Sequence, residues 1–320
     1  MSTLVTGGTG FIGAQTVRLL LERGEKDIVI FDINPSTKLL DDVAGRVEVV
    51  RGDLGNFSHV LSLVKAFRPG VIYHVGGMLS AASDADHATS FRSNAMGTFH
   101  VLEAARLFDV HQVLFSSTLA TYGLDIREKR IDDYTLQRPQ LFYGATKVFS
   151  ELMGSFYKRK FGLDFRGVRY PSIVGPGVKT PGVVQYNSWV IEECAKGNPY
   201  TVYVKPDTRF PVMYFKDAAR AIVLLREAPL QSIKMVNYVV AGATPIASAR
   251  ELADMVKARL PEARIQFEPD PDIQKILDKL LLPIDDTLAR KEWNWTAEYD
   301  QERIVDDFLE EMRIHPQRYS

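Results

Sequence analysis

At 320 residues, with 46% hydrophobic and 25% charged side chains, the chain has the composition of a globular protein and room for a second, smaller lobe. Its formal net charge of −1 argues against the basic field that nucleic acid or an acidic membrane surface requires, so we expect neither partner. Cys194 is the single cysteine, and no signal peptide or apolar run near the roughly 20 residues of a membrane span is present, so we expect a cytoplasmic protein.

The N-terminal stretch TLVTGGTGFIGA predicts a strand, a glycine-rich turn and a helix in direct succession. Residues 3–6 have the composition of a short buried strand, and residues 11–21 carry apolar side chains at helical spacing. The glycines of the turn are Gly7, Gly10 and Gly13. This spacing fits a dinucleotide-binding turn, in which a pyrophosphate faces the free amides and the positive end of the helix dipole. Glycine-rich turns also occur as ordinary loops, so other residues are needed to distinguish a dinucleotide-binding turn from a loop.

A carboxylate after the second strand favours the dinucleotide interpretation. Residues 27–31, DIVIF, predict a buried strand that ends before Asp32. Asp32 lies 19 residues beyond Gly13, where this fold places the acid that binds the adenosine ribose diol. A carboxylate there repels a 2′-phosphate, so the predicted cofactor is NAD rather than NADP. The alternative is a solvated loop aspartate.

Strands and helices alternate along the chain, which predicts an α/β fold with a doubly wound parallel (Rossmann) sheet. Further strands are predicted over residues 46–50, 71–74, 112–116 and 164–169, and helices over residues 57–67, 84–108 and 143–161. From Pro171 onward, frequent prolines divide the chain into short segments. Helices are then predicted over residues 247–259 and 301–313. We predict an NAD-binding domain over residues 1–171 and a smaller α/β substrate lobe over residues 172–320, interleaved with the last strands of the sheet at about residues 207–240.

Two side chains four residues apart on a predicted helix suggest the chemistry. Tyr143 and Lys147 share one helix face, and an ammonium beside a phenol lowers the pKa of the phenol from about 10. Tyr143 is therefore a candidate general base. Thr118, just past a predicted strand, is placed to hydrogen-bond the same substrate oxygen. Such a pair alone is common on amphipathic helices, but the glycine turn and Thr118 favour catalysis.

The chain resembles the extended short-chain dehydrogenase/reductase family over nearly its whole length. The matching stretches are GGTGFIG at 7–13, RGDLGN at 51–56, SNAMGTFHVLEAAR at 93–106, SSTLATYG at 116–123, YGATK at 143–147 and IDDTLARKEWNW at 284–295. The resemblance implies that the catalytic residues are Thr118, Tyr143 and Lys147. The cofactor contacts it implies are Gly7, Gly10, Phe11, Ile12, Gly13, Asp32, Asp53, Leu54, Gly76, Gly77, Tyr143, Lys147, Tyr170 and Ile173. Asn94 stands at the family's usual asparagine position, for which we expect a mainly structural role.

Family members of this kind dimerise through a four-helix bundle. The helices predicted near residues 93–106 and 143–160 resemble the ones that form this bundle. The resemblance therefore implies a homodimer. A helix with a single amphipathic face would show the same sequence pattern.

Within the family, several stretches resemble the epimerase-like L-threonine 3-dehydrogenases. They include MLSA at 78–81, FYGATKVFSELMGSFYKRKFGLDFRGVRYP at 142–171 and DTRFPVMYFKDAARA at 207–221. This implies NAD-dependent oxidation of a secondary alcohol on a small polar molecule, such as the β-hydroxy acid L-threonine. The expected substrate residues are Ser80, Thr118, Tyr143, Ser172, Val184, Gln185 and Arg209. For Arg209 a surface salt bridge is the alternative to contact with an anionic group.

The competing branch is the sugar-nucleotide 4-epimerases and dehydratases, which hold NAD tightly. That branch typically carries an Asn in a pattern like RYFNPVG, where this chain reads RYPSIVG with Ser172. The dehydrogenase branch typically reads GTTDYA where this chain has GVVQYN at 182–187, which removes a carboxylate and two hydroxyls. We therefore expect L-threonine to be one of several accepted β-hydroxy acids. The histidines lack metal-ligand spacing, so no metal is expected.

Overall fold

The structure is a computed structural model that describes residues 2–319. Its strands are β1 (Thr3–Thr6), β2 (Ile28–Asp32), β3 (Glu48–Arg51), β4 (Val71–His74), β5 (Gln112–Thr118), β6 (Asp164–Tyr170), β7 (Ser172–Val174), β8 (Tyr200–Val202), β9 (Val212–Tyr214), β10 (Asn237–Val239) and β11 (Ile265–Phe267). Seven of these strands form one parallel sheet in the order β10-β6-β5-β4-β1-β2-β3. The chain moves outward from β1 in both directions, which confirms the predicted doubly wound sheet.

Helices cover both faces of this sheet and build a second lobe beside it. They are α1 (Phe11–Glu22), α2 (Phe57–Phe67), α3 (Ser80–Ala85), α4 (His87–Ser90), α5 (Gly97–Leu107), α6 (Phe142–Phe161), α7 (Tyr186–Ala195), α8 (Phe215–Glu227), α9 (Ala249–Arg259), α10 (Pro271–Leu280), α11 (Thr287–Trp293), α12 (Gln301–Ile314) and α13 (Pro316–Tyr319). Within residues 2–319, no helix is both long and apolar enough to cross a bilayer.

Alternate residues of the central strands contribute their side chains to two separate apolar cores, one on each face of the sheet. In β1, Val5 joins the core packed under α1 and α8, whereas Leu4 joins the core packed under α2, α5 and α6. Tyr73 and Ile72 divide in the same way on β4. This alternation follows from the two-residue period of a strand, and it explains why the sheet strands are apolar on both faces.

The second lobe has its own core and its own small sheets. Side chains of α7, α9 and α12, such as Val190, Leu252 and Phe308, pack together in this core. Strand β8 pairs with β11, and β7 pairs with β9. Strand β10 nevertheless returns to pair with β6 in the large sheet. The division of the chain at residue 171 stays a prediction.

The helix predicted over residues 84–108 is wrong as a single element. The segment instead forms α3, α4, a π-helical stretch over Phe91–Met96 and α5. Asp86 breaks the first part because its backbone is not helical and its carboxylate accepts a hydrogen bond from Thr89 N at 3.0 Å, which starts α4. The π-helical stretch carries Asn94, and such stretches often mark functional sites.

Candidate active site

A cavity of about 550 Å³ opens along the carboxyl ends of the central strands. Gly7 follows β1, Asp32 ends β2, Gly76 follows β4 and Thr118 ends β5, and all four residues line the cavity. Successive strands are added on one side of β1 up to β3 and on its other side from β4 onward, so the cavity lies at the topological switch point of the sheet. Open α/β sheets bind their ligands at this position.

The turn between β1 and α1 can be built only with glycines at two positions. Gly7 has φ +69°, and a Cβ there would lie 2.5 Å from Gly76 Cα. A Cβ on Gly13 would collide with the backbone of Gly7, so Gly13 lets α1 pack closely on the turn. Helix α1 starts after Gly10 with no side-chain cap and no acidic residue in its first turn. Its free amides and positive dipole end therefore suit an anion.

Asp32 is held at the cavity wall beside this turn. Its Oδ2 accepts a hydrogen bond from Thr9 N at 3.3 Å, and its Oδ1 accepts one from Asn34 N at 3.1 Å. Each carboxylate oxygen keeps a free lone pair, because a carboxylate can accept about four hydrogen bonds. The side chain is thus oriented by the backbone and still able to accept further hydrogen bonds from a ligand.

Helix α6 brings Tyr143 and Lys147 to the end of β5. Gly144 makes this possible because any side chain there would collide with Ala120 O, just beyond Thr118. The ammonium of Lys147 donates a 2.7 Å hydrogen bond to Ser116 O and lies 5.7 Å from the centre of the Tyr143 ring. Lys147 is only 4% exposed, and burial lowers the pKa of its ammonium to about 8. The predicted proximity of the pair is therefore present.

The predicted effect of Lys147 on Tyr143 is wrong in this structure. Burial raises the pKa of Tyr143 above its ordinary value, and a hydrogen bond with Thr118 is the influence that lowers it. The phenol is desolvated, and the Lys147 ammonium is directed at Ser116 O. Desolvation therefore outweighs the attraction between ammonium and phenolate.

A buried carboxylate that the sequence interpretation missed supports the end of β5. Glu151 is 2% exposed and lies one helical turn after Lys147 on α6. It accepts a short hydrogen bond from Ser117 Oγ and a 2.7 Å charge-assisted bond from Arg169. Lys147 and Glu151 therefore fix the two residues before Thr118. The spacing of four residues from Lys147 was the signal that could have identified Glu151.

Asn94 fixes the backbone on the opposite wall of the cavity. Its Oδ1 accepts a 2.7 Å hydrogen bond from Met78 N, and its Nδ2 donates a 3.0 Å bond to Met78 O. This double contact holds the segment that follows β4 and carries Gly76 and Gly77. The contacts agree with the structural role expected for Asn94.

Residues 3–241 match the NAD dependent epimerase/dehydratase family. The matched region contains the glycine turn, Asp32, and the Tyr143 and Lys147 pair described above. The chain belongs to this family. It is therefore an NAD-dependent enzyme of the extended short-chain dehydrogenase/reductase type, as the sequence resemblance implied.

Proteins and solved structures similar to this chain align with nearly its whole length. The mitochondrial L-threonine 3-dehydrogenase of Bos taurus is 30% identical over 308 residues, which are 96% of this chain and 81% of that protein. The structure of L-threonine dehydrogenase from Phytophthora infestans is 30% identical with a TM-score of 0.86, covering 98% of this chain and 99% of that one. A monomeric L-threonine 3-dehydrogenase from a metagenome is 26% identical with the same TM-score of 0.86, over 98% and 99% of the two chains.

The cavity of this family member fits NAD. The turn offers room for a pyrophosphate at Gly10, where an added Cβ would meet only Gly7 O, at 3.3 Å. Asp32 and Lys147, the residues predicted to hold the two riboses of the cofactor, both line the cavity, and these assignments stay predictions. All of the predicted cofactor residues line the cavity, namely Gly7, Gly10, Phe11, Ile12, Gly13, Asp32, Asp53, Leu54, Gly76, Gly77, Tyr143, Lys147, Tyr170 and Ile173. The described residues contain no cluster of His, Cys, Asp or Glu suited to a metal ion.

Five of the seven predicted substrate residues line the same cavity in this epimerase/dehydratase family member. They are Ser80, Thr118, Tyr143, Ser172 and Gln185. Val184 does not reach it, because its side chain packs against the apolar core of the second lobe. Arg209 does not reach it either, because its guanidinium binds Glu251 through two hydrogen bonds of 2.8 Å at the protein surface. The alternative of a surface salt bridge was the correct one.

Proposed function

We propose that the enzyme oxidises the secondary alcohol of a small β-hydroxy acid, such as L-threonine, with NAD as the hydride acceptor. The observation that carries this proposal is the convergence of Thr118, Tyr143 and Lys147 at the cavity beside the glycine turn. The L-threonine 3-dehydrogenases that align with nearly the whole chain support the same substrate class.

Each of the three side chains has a distinct role in the proposed reaction. NAD, when bound, supplies the nicotinamide carbon that takes up a hydride. Tyr143 acts as the base only after its own proton has left, because burial favours the neutral phenol. The substrate C–H bond then breaks with its electron pair, the hydroxyl proton passes to the phenolate Oη of Tyr143, and the carbon becomes a ketone. Thr118 orients the substrate oxygen through its hydroxyl. Lys147 would hold the nicotinamide ribose, and it keeps α6 fixed to Ser116 O.

The alternative is a sugar-nucleotide 4-epimerase or dehydratase, which the family also contains. Two features of the cavity favour the smaller substrate. Ser172 stands at the wall where the epimerase pattern has an Asn, and Pro171 lines the cavity beside it. Among the described residues of the second lobe, none with a positive charge lines this cavity. A buried diphosphate would therefore keep unpaired charges, at a cost of about several kcal/mol.

The proposed function predicts NADH formation from at least one small β-hydroxy acid. The test is to follow NADH absorbance with purified wild-type enzyme, NAD and a panel of hydroxy acids, amino acids and UDP-sugars. Calorimetry with NAD alone shows that the protein used is competent to bind its cofactor. An enzyme that binds NAD but reduces it with none of the hydroxy acids would contradict the proposal.

Substitutions of Thr118 separate its hydroxyl from its shape. Thr118→Ser keeps the hydroxyl and is expected to retain most of the turnover. Thr118→Val keeps the shape, and losing one hydrogen bond to a developing charge is expected to reduce kcat by roughly 10- to 100-fold. It also removes the bond that Thr118 Oγ1 accepts from Ala120 N at 3.1 Å, so thermal melting must accompany the kinetics. Equal losses of turnover in both variants would indicate a packing role.

We also propose that the enzyme is a homodimer formed through α5 and α6. Helix α6 exposes Phe149, Leu152 and Phe156 at intervals of three and four residues, which is one helix face. Phe91 lies within ring-contact distance of Phe149, 6.5 Å between centres, and continues this apolar surface onto the helical segment before α5. A second copy of the same surface would bury it in a four-helix bundle.

Introducing a charge on α6 tests this dimer. Leu152 is 63% exposed, so Leu152→Glu places a carboxylate on the proposed interface without changing the core. Light scattering after size exclusion is expected to show a dimer for the wild type and a monomer for this variant. The control is Leu136→Glu, an equally exposed leucine in the loop before α6, which is expected to stay dimeric. A monomeric wild type, like the similar metagenomic enzyme, would contradict the proposal.

A cytoplasmic location is also proposed. The single cysteine, which is buried and unpaired, supports a compartment that does not depend on disulfides. Fractionation of the native host with an antibody to the protein would test this location.

A further inference from the structure

The charged side chains of the cavity are unevenly distributed along it. Among the described residues, four that line the cavity carry a charge at neutral pH, namely Asp32, Asp53, Arg92 and Lys147. Asp32 ends β2, and Asp53 lies just beyond β3. A Cβ built on Gly55 would lie 3.2 Å from Asp53 Oδ1 and 3.3 Å from Arg92 Cβ, and the Arg92 guanidinium donates a 3.1 Å hydrogen bond to Thr89 Oγ1. Both carboxylates therefore lie at the adenosine end, which is the part of the cavity lined by Asp32 and Asp53.

The two carboxylates, Asp32 and Asp53, are too far from the reacting groups to bind a small substrate. Thr118 ends β5, and β4 and β1 lie between β5 and β2 in the sheet. Adjacent strands are about 4.8 Å apart, so Asp32 is displaced from the end of β5 by about 14 Å, and Asp53 by about 19 Å. A molecule of the size of L-threonine cannot contact Tyr143 and either carboxylate together.

The polar groups at the substrate end are neutral. Ser80, Thr118 and Ser172 present hydroxyls, and Gln185 presents an amide. Gln185 is half-buried at the start of α7, and its amide makes no hydrogen bond to any group within residues 2–319. The amide is therefore free to bind a ligand. A carboxylate at this place would offer an ammonium group a charged partner, whereas an amide oxygen does not.

The remaining charge at this end is positive. Lys147 lies beside Tyr143, so a substrate ammonium bound there would meet a like charge. Glu151, the nearest carboxylate on α6, cannot compensate because it is enclosed and already binds Ser117 and Arg169. A substrate carboxylate, in contrast, is attracted by Lys147 and can accept hydrogen bonds from the Gln185 amide and the hydroxyls.

We infer that the substrate end of this cavity selects β-hydroxy acids without an α-ammonium group over zwitterionic amino acids such as L-threonine. The inference rests on the proposed function and narrows its substrate class. Gln185 is the specificity-determining residue, because its free amide lines the cavity and stands where a carboxylate of nearly the same shape would give a substrate ammonium a charged partner.

Paired kinetics on two acids test the inference. (R)-3-Hydroxybutyrate matches L-threonine at the reacting carbon and differs only in lacking the ammonium group. The wild type is expected to have a kcat/KM for this acid at least about tenfold above that for L-threonine, the size of one charge-assisted hydrogen bond. Gln185→Glu is expected to shift the ratio toward L-threonine by at least about tenfold. The glutamate suits the fold, because acidic residues are favourable at a helix N-terminus.

The matched control is the neighbouring residue that does not reach the cavity. Val184→Thr restores a hydroxyl within the lobe core and is expected to leave the substrate ratio unchanged. The inference is overturned if the wild type prefers L-threonine, or if Gln185→Glu does not change the ratio of kcat/KM for the two acids. Either result would be compatible with the proposed function. NADH from neither acid would instead overturn the proposed function, and this inference with it.

Discussion

Replacing Tyr143 with phenylalanine is expected to reduce kcat by about 10²- to 10⁴-fold, the usual contribution of one general acid or base. The substitution removes only the phenolic oxygen that accepts the substrate proton. The ring, which lies 5.7 Å from the Lys147 ammonium, keeps its place on α6. The Lys147 bond to Ser116 O is also unaffected, so the fold and the affinity for NAD should remain close to those of the wild type.

The experiment is single-turnover and steady-state NADH formation, with calorimetry of NAD binding on the same preparations. Tyr134→Phe is the matched control, because this tyrosine is 76% exposed and lies outside the cavity. It is expected to show wild-type turnover. Substantial activity in Tyr143→Phe would mean that another group accepts the proton, and a loss of NAD binding would mean that the ring has a structural role.

The second large effect expected concerns the cofactor. The wild type should use NAD about 100-fold more efficiently than NADP, because a 2′-phosphate beside the Asp32 carboxylate meets a like charge. Asp32→Asn removes that repulsion and weakens the hydrogen bonds to the ribose diol. The preference for NAD is therefore expected to fall by at least about tenfold, mostly through weaker use of NAD.

The measurement is kcat/KM with each cofactor at a fixed concentration of the best hydroxy acid. Asp27→Asn is the control, since Asp27 is an exposed aspartate just before the other end of β2. Its preference should equal that of the wild type. Equal kcat/KM of the wild-type enzyme with NAD and NADP would contradict the assignment of Asp32 to the adenosine ribose diol.

The regular elements near the glycine turn could be predicted because their patterns are local. Residues 3–6, 57–67 and 71–74 were predicted with the bounds that the structure has. Alternation of strands and helices then determined the parallel sheet, and sheet topology placed the predicted cofactor residues at one edge. The prediction of one helix over residues 84–108 was wrong because Asp86 interrupts an otherwise helical pattern and caps the next helix.

The substrate residues were harder to predict because their orientation depends on the packing of the second lobe. Val184 and Gln185 are neighbours, yet one enters the lobe core and the other reaches the cavity. Arg209 is exposed and close to Glu251, which lies 42 residues later, so no local pattern could identify its partner. The pKa of Tyr143 depends on burial, which spacing along a helix does not reveal.

Oxidation of a small hydroxy acid, rather than conversion of a sugar nucleotide, is the central claim about this enzyme. NADH formation from β-hydroxy acids in the presence of increasing UDP-glucose tests it most directly. We predict that NADH accumulates and that millimolar UDP-glucose leaves the rate unchanged, because the cavity offers Ser172 and no cation from the second lobe to a diphosphate. No NADH from any hydroxy acid, together with micromolar binding of UDP-glucose to the NAD complex by calorimetry, would contradict the account and favour the epimerase.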